Sequence, residues 1–359
     1  MPKYRFEEIA FNSTAKKKPV EEDKSHYIGL EHLDSGSFTV KRFGSEVAPI
    51  GEKLLMKKGD VLFGKRRAYQ KKVALAPFDG IFSAHGMVLR PKEDVVDKDF
   101  FPLFIGSDYF LDVAVEISVG SLSPTVNWRD LKDIEFELPE LSEQRKLAKV
   151  LWSIIDTLEA YNNLLSKIDD LVKSQFIEMF GTLEKVPLKY LTTIVMGQSP
   201  SSESYNEVGI GVPFYQGSGE FTDKYVGDGM FCTAPTRMVD AGDILMSVRA
   251  PVGTVNLTRK KCCIGRGLAA IRSKISQDYN EYFLYAFRAM ADDICNMGHG
   301  STVLAITKDE LHNLMMPNAS LEQQEIFVKF AQQSDKSKFE VLKSYSNLNL
   351  SRCLEQSTH

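Results

Sequence analysis

The sequence predicts an α+β protein built as a pseudo-two-fold tandem repeat, in which two similar mixed α/β domains are joined by two long helices that form an antiparallel coiled coil. The chain has 359 residues, more than one hydrophobic core usually organises. Two strand-rich stretches are each followed by a helical stretch, and short motifs recur at offsets of 178 to 183 residues. We therefore predict a first domain (1–139), a first long helix (140–182), a second domain (183–318) and a second long helix (319–359).

The composition is that of an ordinary globular protein, with 43% hydrophobic and 26% charged residues. No run approaches the roughly 18 apolar residues that a membrane helix needs, and the N-terminus lacks the apolar stretch of a signal peptide. The five cysteines include no C-x-x-C pair, and the six histidines show no ligand spacing. We therefore expect a cytoplasmic protein with no membrane association, no metal and no cofactor of its own.

The first domain should contain short strands separated by turns. Runs of β-forming residues occur at 27–30, 59–63 and 86–89, and glycine and proline punctuate them. Residues 98–115 are denser in aromatic and aliphatic side chains, so we expect a helix there that packs on the strands.

A heptad pattern marks the first long helix. Neither glycine nor proline occurs from Glu140 to Phe180, and apolar residues recur in steps of three and four over nearly four heptads. Ser142 is the expected N-cap and Gly181 the expected end of the helix. The predicted coiled-coil seam consists of Leu147, Leu151, Ile154, Leu158, Tyr161, Leu165, Ile168 and Val172.

The second half of the chain repeats motifs of the first half. A Gly-Asp-aliphatic-Leu core in residues 57–67 recurs in residues 240–250. A Gly-Ser pair followed by an acidic-Leu pair and a proline, in residues 119–139, recurs in residues 299–317. Because these matches keep one order and nearly one offset, they indicate a tandem duplication of a domain-plus-helix unit.

The seam of the first helix needs a partner helix. The second helical stretch begins after Ser320 and has a polar middle, residues 332–340, so it is the weaker helix by itself. One possibility is that the two helices of one chain pair in antiparallel orientation. The other is a coiled coil between two copies of the chain.

Catalytic signatures are missing from the sequence. It contains no P-loop, no HExxH, no GxSxG and no Asn/Asp-Pro-Pro-aromatic run of an amino-methyltransferase, and Gly217-Ser218-Gly219 is a lone GxG. This pattern indicates a protein that is not itself an enzyme.

Basic clusters follow the Gly-Asp-aliphatic-Leu motif in both halves. Although the net charge is −4, residues 1–90 hold 17 Lys and Arg against 11 Asp and Glu, and no neighbouring acids neutralise the clusters. Such side chains bind DNA phosphates and read base edges, and the Gly/Ser-rich loops 196–206 and 120–128 can approach a phosphate backbone. The residues predicted to contact double-stranded DNA are Lys65, Arg66, Arg67, Tyr69, Lys71, Lys72, Ser199, Arg249, Arg259, Lys260 and Arg266.

Taken together, these motifs resemble those of the specificity (S) subunits of type I restriction-modification enzymes. In that family a Pro-x-(x)-x-x-Glu-Gln motif opens each long helix, as do Pro139…Glu143-Gln144 and Pro317…Glu322-Gln323 here. Similar segments are YIGLEHLDSG (27–36), HGMVLRP (85–91) and GSTVLAITKDEL (300–311). The resemblance covers essentially the whole chain.

The resemblance implies two target recognition domains, each of which reads one half of a bipartite DNA site, and helices that set the spacer between the halves. It also implies two modification subunits docked on the helices, which carry S-adenosylmethionine and the methyltransferase motifs, and a restriction subunit as a further partner. Family members often continue past the second helix into a short tail that packs near the N-terminus, whereas this sequence ends at His359, soon after its second helix, so the sequence leaves both a closed and an open arrangement as alternatives.

Two other functions stay open at this point. The first alternative is a fused or stand-alone DNA-modifying enzyme with a divergent active site. The second is a coiled-coil scaffold that binds only proteins. An enzyme would act on DNA without partners, and a scaffold would show no salt-dependent affinity for DNA.

Overall fold

A computed structural model describes residues 1–47, 49–298 and 305–356. The chain divides into two compact units, Met1–Thr157 and Leu158–His359. The division falls inside the first long helix, so each unit contains one globular domain and part of the helical region.

Unit 1 begins with a mixed α/β domain. Its strands are β1 (Lys3–Arg5), β2 (Ala10–Ser13), β3 (Lys16–Lys17), β4 (Tyr27–Ile28), β5 (Lys53–Met56), β6 (Val61–Phe63), β7 (Val73–Leu75), β8 (Gly80–Phe82), β9 (Met87–Pro91) and β10 (Glu135–Glu137). Its helices are α1 (Phe6–Ile9), α2 (Phe100–Ile105), α3 (Asp108–Glu116) and α4 (Trp128–Leu131), followed by the first long helix α5 (Leu141–Phe180). Short 3-10 helices lie at Glu21–His26, Leu30–His32 and Ala68–Gln70.

Two four-stranded sheets organise this domain. One has the order β2-β9-β6-β7, the other the order β3-β5-β8-β4, and β1 pairs with β10. The strand runs expected at 27–30, 59–63 and 86–89 appear as β4, β6 and β9. The single helix expected at 98–115 is instead two helices, because the chain turns at Gly106 and the Ser107 hydroxyl caps α3 by accepting the Phe110 N–H.

Unit 2 contains the end of α5 and a second domain of the same kind. Its strands are β11 (Lys185–Pro187), β12 (Thr192–Met196), β13 (Tyr205–Asn206), β14 (Val212–Tyr215), β15 (Met230–Cys232), β16 (Met238–Val239), β17 (Ile244–Ser247), β18 (Val255–Leu257), β19 (Cys262–Ile264), β20 (Leu268–Ser273) and β21 (Met315–Pro317). Its helices are α6 (Leu188–Leu191), α7 (Asn280–Ala289), α8 (Ala291–Asn296), α9 (Lys308–His312) and the second long helix α10 (Leu321–Gln356). Short 3-10 helices lie at Ser202–Ser204 and Gln277–Tyr279.

The two domains share the order of their first sheet, whereas the second sheet has four strands in unit 1 (β3-β5-β8-β4) and five in unit 2 (β13-β15-β14-β19-β16). Two similar mixed domains confirm the predicted fold class. The sheet β12-β20-β17-β18 repeats the order β2-β9-β6-β7, and β11 pairs with β21 as β1 pairs with β10. Each second sheet contains one parallel pair, β4 with β8 and β14 with β19. The register agrees as well, since Val61 lies opposite Leu89 and Ile244 lies opposite Ile271.

The repeated Gly-Asp motif has the same structural role in both domains. Gly59 and Gly242 adopt positive φ angles of 88° and 86°, which favour glycine. The following carboxylates are buried, and each accepts two hydrogen bonds from an arginine on the adjacent strand. Asp60 pairs with Arg90 and Asp243 with Arg272, in both cases at 2.6 and 2.7 Å. The motif therefore fixes the turn that leads into β6 or β17.

Both long helices start in the same way, but not at the residues expected from the sequence. The Gln144 side-chain amide donates to the Pro139 carbonyl at 2.8 Å, and the Gln324 amide donates to the Ala319 carbonyl at 3.0 Å. The counterpart of Gln144 is thus Gln324 and not Gln323, because the second start is two residues longer after its proline.

The N-cap prediction at Ser142 is wrong, since Ser142 already lies inside α5 and the first helical hydrogen bonds go to the Glu140 carbonyl. In α10 the N-cap residue is Ser320. The Ser320 hydroxyl accepts from the Gln323 N–H, and the Gln323 side chain accepts from the Ser320 N–H, which is a capping box.

The two long helices run antiparallel within unit 2. Phe176 packs against Phe327 with tilted rings whose centroids are 5.5 Å apart, and Asp169 pairs with Lys338 at 3.1 Å. Moving towards the start of α5 therefore means moving towards the end of α10. Lys338 belongs to the polar middle of α10, so at this position the polar side chain forms an ion pair with an acid of α5.

The predicted seam is buried or half-buried from Leu151 to Val172, with Leu158 the most enclosed position. It is wrong at Leu147, whose side chain is 41% exposed, while Gln144 and Ala148 are buried. The reason is that the first turns of α5 pack on the domain of unit 1 through Gln144. Among the described residues, no helix is long and apolar enough to cross a membrane.

Candidate nucleic-acid interface

The basic loop of unit 1, Gly64–Lys72, connects β6 to β7. Arg66 and Arg67 are exposed, and Tyr69 is exposed beside them. Arg67 and Lys71 adopt left-handed φ angles of 56° and 47° on either side of a single 3-10 turn. Such backbone costs about 1–3 kcal/mol for residues other than glycine and is common at binding sites. The loop is therefore held in one shape that presents its side chains.

A second loop holds the basic loop from behind. Val119 and Thr125 exchange backbone hydrogen bonds at 3.0 Å and close a tight loop with Leu122 at its exposed tip. The Arg67 N–H donates to the Pro124 carbonyl at 2.7 Å, and the Val126 N–H donates to the Lys65 carbonyl at 2.9 Å. The Gly/Ser-rich loop 120–128 and the basic cluster, which are about 50 residues apart in the sequence, thus form one surface.

The basic side chains of this loop differ in their partners. An Arg66 Nη lies 3.3 Å from the His85 ring nitrogen Nε2. Burial lowers the pKa of His85, and the charges of Arg66, Lys65 and Lys53 lower it further. His85 therefore lies among the cations Arg66, Lys65 and Lys53, and this group of positive charges attracts an anion such as a DNA phosphate.

Lys71 and Lys72 are committed within the protein. The Lys71 ammonium lies 2.7 Å from both Asp108 and Asp112, and hydrogen bonds to these carboxylates raise its pKa. The Lys72 ammonium donates to the Leu30 carbonyl at 2.8 Å. The expectation that no acids neutralise the cluster is wrong for Lys71, because the tertiary fold brings α3 to the loop.

Unit 2 presents Arg249 at the position that Arg66 occupies in unit 1. Arg66 forms a backbone bridge with Thr125, and Arg249 forms one with Ala305. The Ile306 N–H donates to the Val248 carbonyl at 2.9 Å, as Val126 does to Lys65. Part of the repeated segment, residues 299–304, lies outside the described residues.

Ser199 and Arg266 lie on the same surface of unit 2 as Arg249. The Val248 N–H donates to the Gly267 carbonyl at 2.9 Å, which places Arg249 beside Arg266. The Ser199 hydroxyl accepts from the Arg266 N–H at 3.2 Å and lies 3.0 Å from the Gln216 amide nitrogen. This loop cluster combines hydroxyl, amide and guanidinium groups, the groups that contact phosphates and base edges.

Arg259 and Lys260 lie at the other end of that sheet. Because Leu257 is paired with Ile244, the residues after β18 lie beside the beginning of β17, whereas Arg249 follows its end. The Arg259 guanidinium lies 4.3 Å from the centre of the Tyr225 ring, and neighbouring Lys261 pairs with Asp240 at 3.7 Å. The structure therefore does not bring Arg259 and Lys260 together with Arg249.

Sequence reasoning missed three contributors to these surfaces. His85 and Lys53 join the basic loop of unit 1, and Gln216 joins Ser199 in unit 2. They lie too far along the chain from the clusters for a local charge pattern to reveal them. Within the described part of the chain, no group of three or more His, Cys, Asp or Glu could hold a metal ion.

The model of the type I restriction modification DNA specificity domain matches the chain twice, at residues 11–170 and 181–348. The two matches coincide with the two repeats of the structure.

Individual proteins give the same picture. A candidate type I restriction enzyme MjaX specificity subunit of Methanocaldococcus jannaschii is 32% identical over 299 residues, which cover 76% of this chain and 70% of that protein. The type I restriction enzyme EcoDI specificity subunit of Escherichia coli is 25% identical over 182 residues, or 49% of this chain and 40% of the other.

Among solved structures, a chain from a study of complex assembly and conformational transition of the type I R-M system has a TM-score of 0.59 and 27% identity. The match covers 99% of this chain and 95% of that one. The type I restriction-modification S subunit from M. genitalium has a TM-score of 0.56 at 15% identity, with 98% and 94% coverage, and is similar in fold.

Proposed function

Because the chain belongs to the type I restriction-modification DNA specificity family, we propose that each of its two domains reads one half of a bipartite DNA site. The chain is then a specificity subunit, which recognises DNA and leaves the chemistry to other subunits. Family membership favours this role over a stand-alone modifying enzyme and over a scaffold that binds only proteins. A cytoplasmic location stays a prediction.

The observation that carries the proposal is the equivalence of Arg66 and Arg249. Both follow the strand that the Gly-Asp turn and the buried Asp–Arg pair fix, and both bridge to the segment before the next short helix. Their neighbours differ, since Arg66 lies beside His85 and Arg249 beside Arg266 and Ser199. A common scaffold with different neighbours suits two different half-sites.

The long helices supply the second part of the proposal. They pair in antiparallel orientation within unit 2, and we assign to the helices the spacer between the half-sites and the docking of two modification subunits. Those subunits would carry S-adenosylmethionine, and a restriction subunit is a further candidate partner. The support for these partners is family membership.

Matched variants in the two domains test the proposal. The chain is co-expressed with its modification subunit, and the methylated sites are mapped for the wild type, for Arg66→Gln and for Arg249→Gln. Arg66→Gln should relax or weaken recognition of one half-site only, and Arg249→Gln should affect only the other half. Where the arginine contacts a base, the loss should be about 1–3 kcal/mol of discrimination.

Each variant serves as the control for the other. Binding of the purified complex to the mapped duplex at two salt concentrations gives the number of phosphate contacts, and one lost contact lowers the salt slope by about one. If either substitution relaxed the sequence requirement of both halves equally, the assignment of one domain to one half-site would be wrong.

A further inference from the structure

Unit 1 contains a cavity of about 360 Å³ directly beside the basic loop, and one of its walls is polar. It lies between the end of β2, the connection from β8 to β9 and the start of α4. Its polar wall is formed by Asn12, Ser13, Lys16, Lys65 and Asn127, and the Trp128 ring lines it as well. The Trp128 ring also packs on Phe6 at 5.5 Å, so that wall is fixed.

Lys65 is the unusual residue of this cavity. Its side chain is half-buried, and burial, followed by the charge of Lys16, lowers its pKa. Within the described part of the chain, no acceptor shifts that pKa in the opposite direction, as Asp108 and Asp112 do for Lys71. Burial of part of this side chain weakens the hydration of its ammonium, and an acceptor on a ligand would offset that cost.

The repeat shows that the fold does not need polar residues here. By their place on the strand after the Gly-Asp turn, Lys65 corresponds to Val248, which is buried. Asn12 lies opposite Leu89 on β9 as Ile194 lies opposite Ile271 on β20.

The same register matches Ser13 with Val195, since these residues lie opposite Val88 and Ala270. Unit 2 thus places apolar side chains at three positions where unit 1 places an ammonium, an amide and a hydroxyl. The scaffold is satisfied by apolar packing, so the polar set of unit 1 serves another purpose.

We propose that this cavity reads the major-groove edge of a guanine in the half-site recognised by unit 1, with Lys65 as the specificity-determining donor. The inference rests on the proposed function. Lysine and arginine donate to O6 and N7 of guanine, the commonest specific contact in the major groove. Arg66 and His85 hold the adjacent phosphates, and the amides of Asn12 and Asn127 supply further donors and acceptors.

A DNA phosphate could also accept a hydrogen bond from the Lys65 ammonium. A phosphate contact and a guanine contact predict different binding to duplexes of different sequence. A phosphate contact strengthens binding to every sequence alike. A guanine contact strengthens binding only to the correct site. Lys65→Val separates these cases, and Val248 shows that the scaffold accepts valine at this position.

The test uses the complex of this chain with its modification subunit and the duplex found by methylation mapping. We expect Lys65→Val to bind that duplex about tenfold more weakly and a scrambled duplex unchanged. Replacing one guanine of the first half-site by 7-deazaguanine, which lacks the N7 acceptor, should weaken the wild type and leave Lys65→Val unaffected. Asn12→Ile introduces the residue type that unit 2 has at the equivalent position, Ile194, and should relax the sequence requirement of the same half-site.

Lys58→Val is the matched control, since Lys58 is an exposed lysine in the turn at the opposite end of β6. It should leave the mapped site and the affinity unchanged. If Lys65→Val weakened binding to the mapped and the scrambled duplex equally, Lys65 would contact a phosphate and the inference would be overturned. A first half-site that contains no guanine would overturn it as well. A wild-type complex that did not distinguish the two duplexes would overturn the proposed function itself.

Discussion

Removal of the Asp60 carboxylate should destabilise unit 1 and thereby test the role of the repeated Gly-Asp motif. Its two oxygens accept from Arg90 at 2.6 and 2.7 Å and from the Lys57 N–H at 2.7 Å. Only 7% of the Asp60 side chain is exposed, against 32% for Arg90. Asp60→Ala therefore leaves a guanidinium that is two-thirds enclosed and without its counter-ion.

The magnitude follows from this geometry. Breaking a fully buried ion pair costs about 3–5 kcal/mol, because the remaining charge is not solvated. Water reaches about a third of Arg90 and can hydrate the exposed Lys57 amide, so we reduce the expected loss to about 2–4 kcal/mol. The double variant Asp60→Leu/Arg90→Met removes both charges and should cost less than about 1 kcal/mol.

Denaturant unfolding followed by tryptophan fluorescence measures this difference. Both tryptophans, Trp128 and Trp152, lie in unit 1, so the signal reports the unit that carries the substitution. If Asp60→Ala lost less than about 1 kcal/mol, or if the double variant lost as much as the single one, the ion pair would not fix the turn before β6.

Two further predictions concern the basic loop and the helix starts. Burial and neighbouring cations lower the pKa of His85 in the free protein, so a bound phosphate beside Arg66 should raise that pKa. At constant salt, the affinity for DNA should therefore increase as the pH falls from about 7 to 5.5. The substitution His85→Asn should remove this pH dependence. Gln144→Leu should lower the free energy of unfolding by about 2–3 kcal/mol, because three backbone partners lose their hydrogen bonds. Gln324→Leu should lower it by less than about 1 kcal/mol, because among the described residues Gln324 Oε1 has no partner to lose and only the bond to the Ala319 carbonyl disappears.

Each of these predictions has an opposing outcome. A DNA affinity that fell, or stayed constant, at low pH in the wild type would show that no phosphate approaches His85. Equal losses for Gln144→Leu and Gln324→Leu would show that the extra hydrogen bonds of Gln144, to the Asp97 N–H and the Val95 carbonyl, do not stabilise unit 1.

Much of the architecture could be predicted from the sequence, because it depends on local patterns. The heptad pattern of α5 and the absence of glycine and proline specify a long helix without knowledge of its partner. The Gly-Asp motif could be aligned between the halves because a turn with positive φ needs glycine at one place. Recurrence of these patterns at one offset was enough to predict two domains of the same fold.

The candidate site could be predicted only in part, since it depends on residues far apart in the chain. Lys71 looked available for DNA until α3 placed Asp108 and Asp112 beside it. Arg259 looked like a companion of Arg249 until the strand register placed it at the other end of the sheet. Charge patterns record which groups are present, and distances between groups arise only on folding.

The sequence by itself thus determined the duplication, the two helices and the strand after which each basic cluster lies. Only the tertiary structure decided that Gln144 matches Gln324, that Leu147 is outside the seam, and that Lys65 lines a cavity at the position where the other repeat has the buried Val248. The physical reason is that helix and turn formation depend on neighbours in the chain, whereas the partner of a buried polar group is chosen by long-range packing.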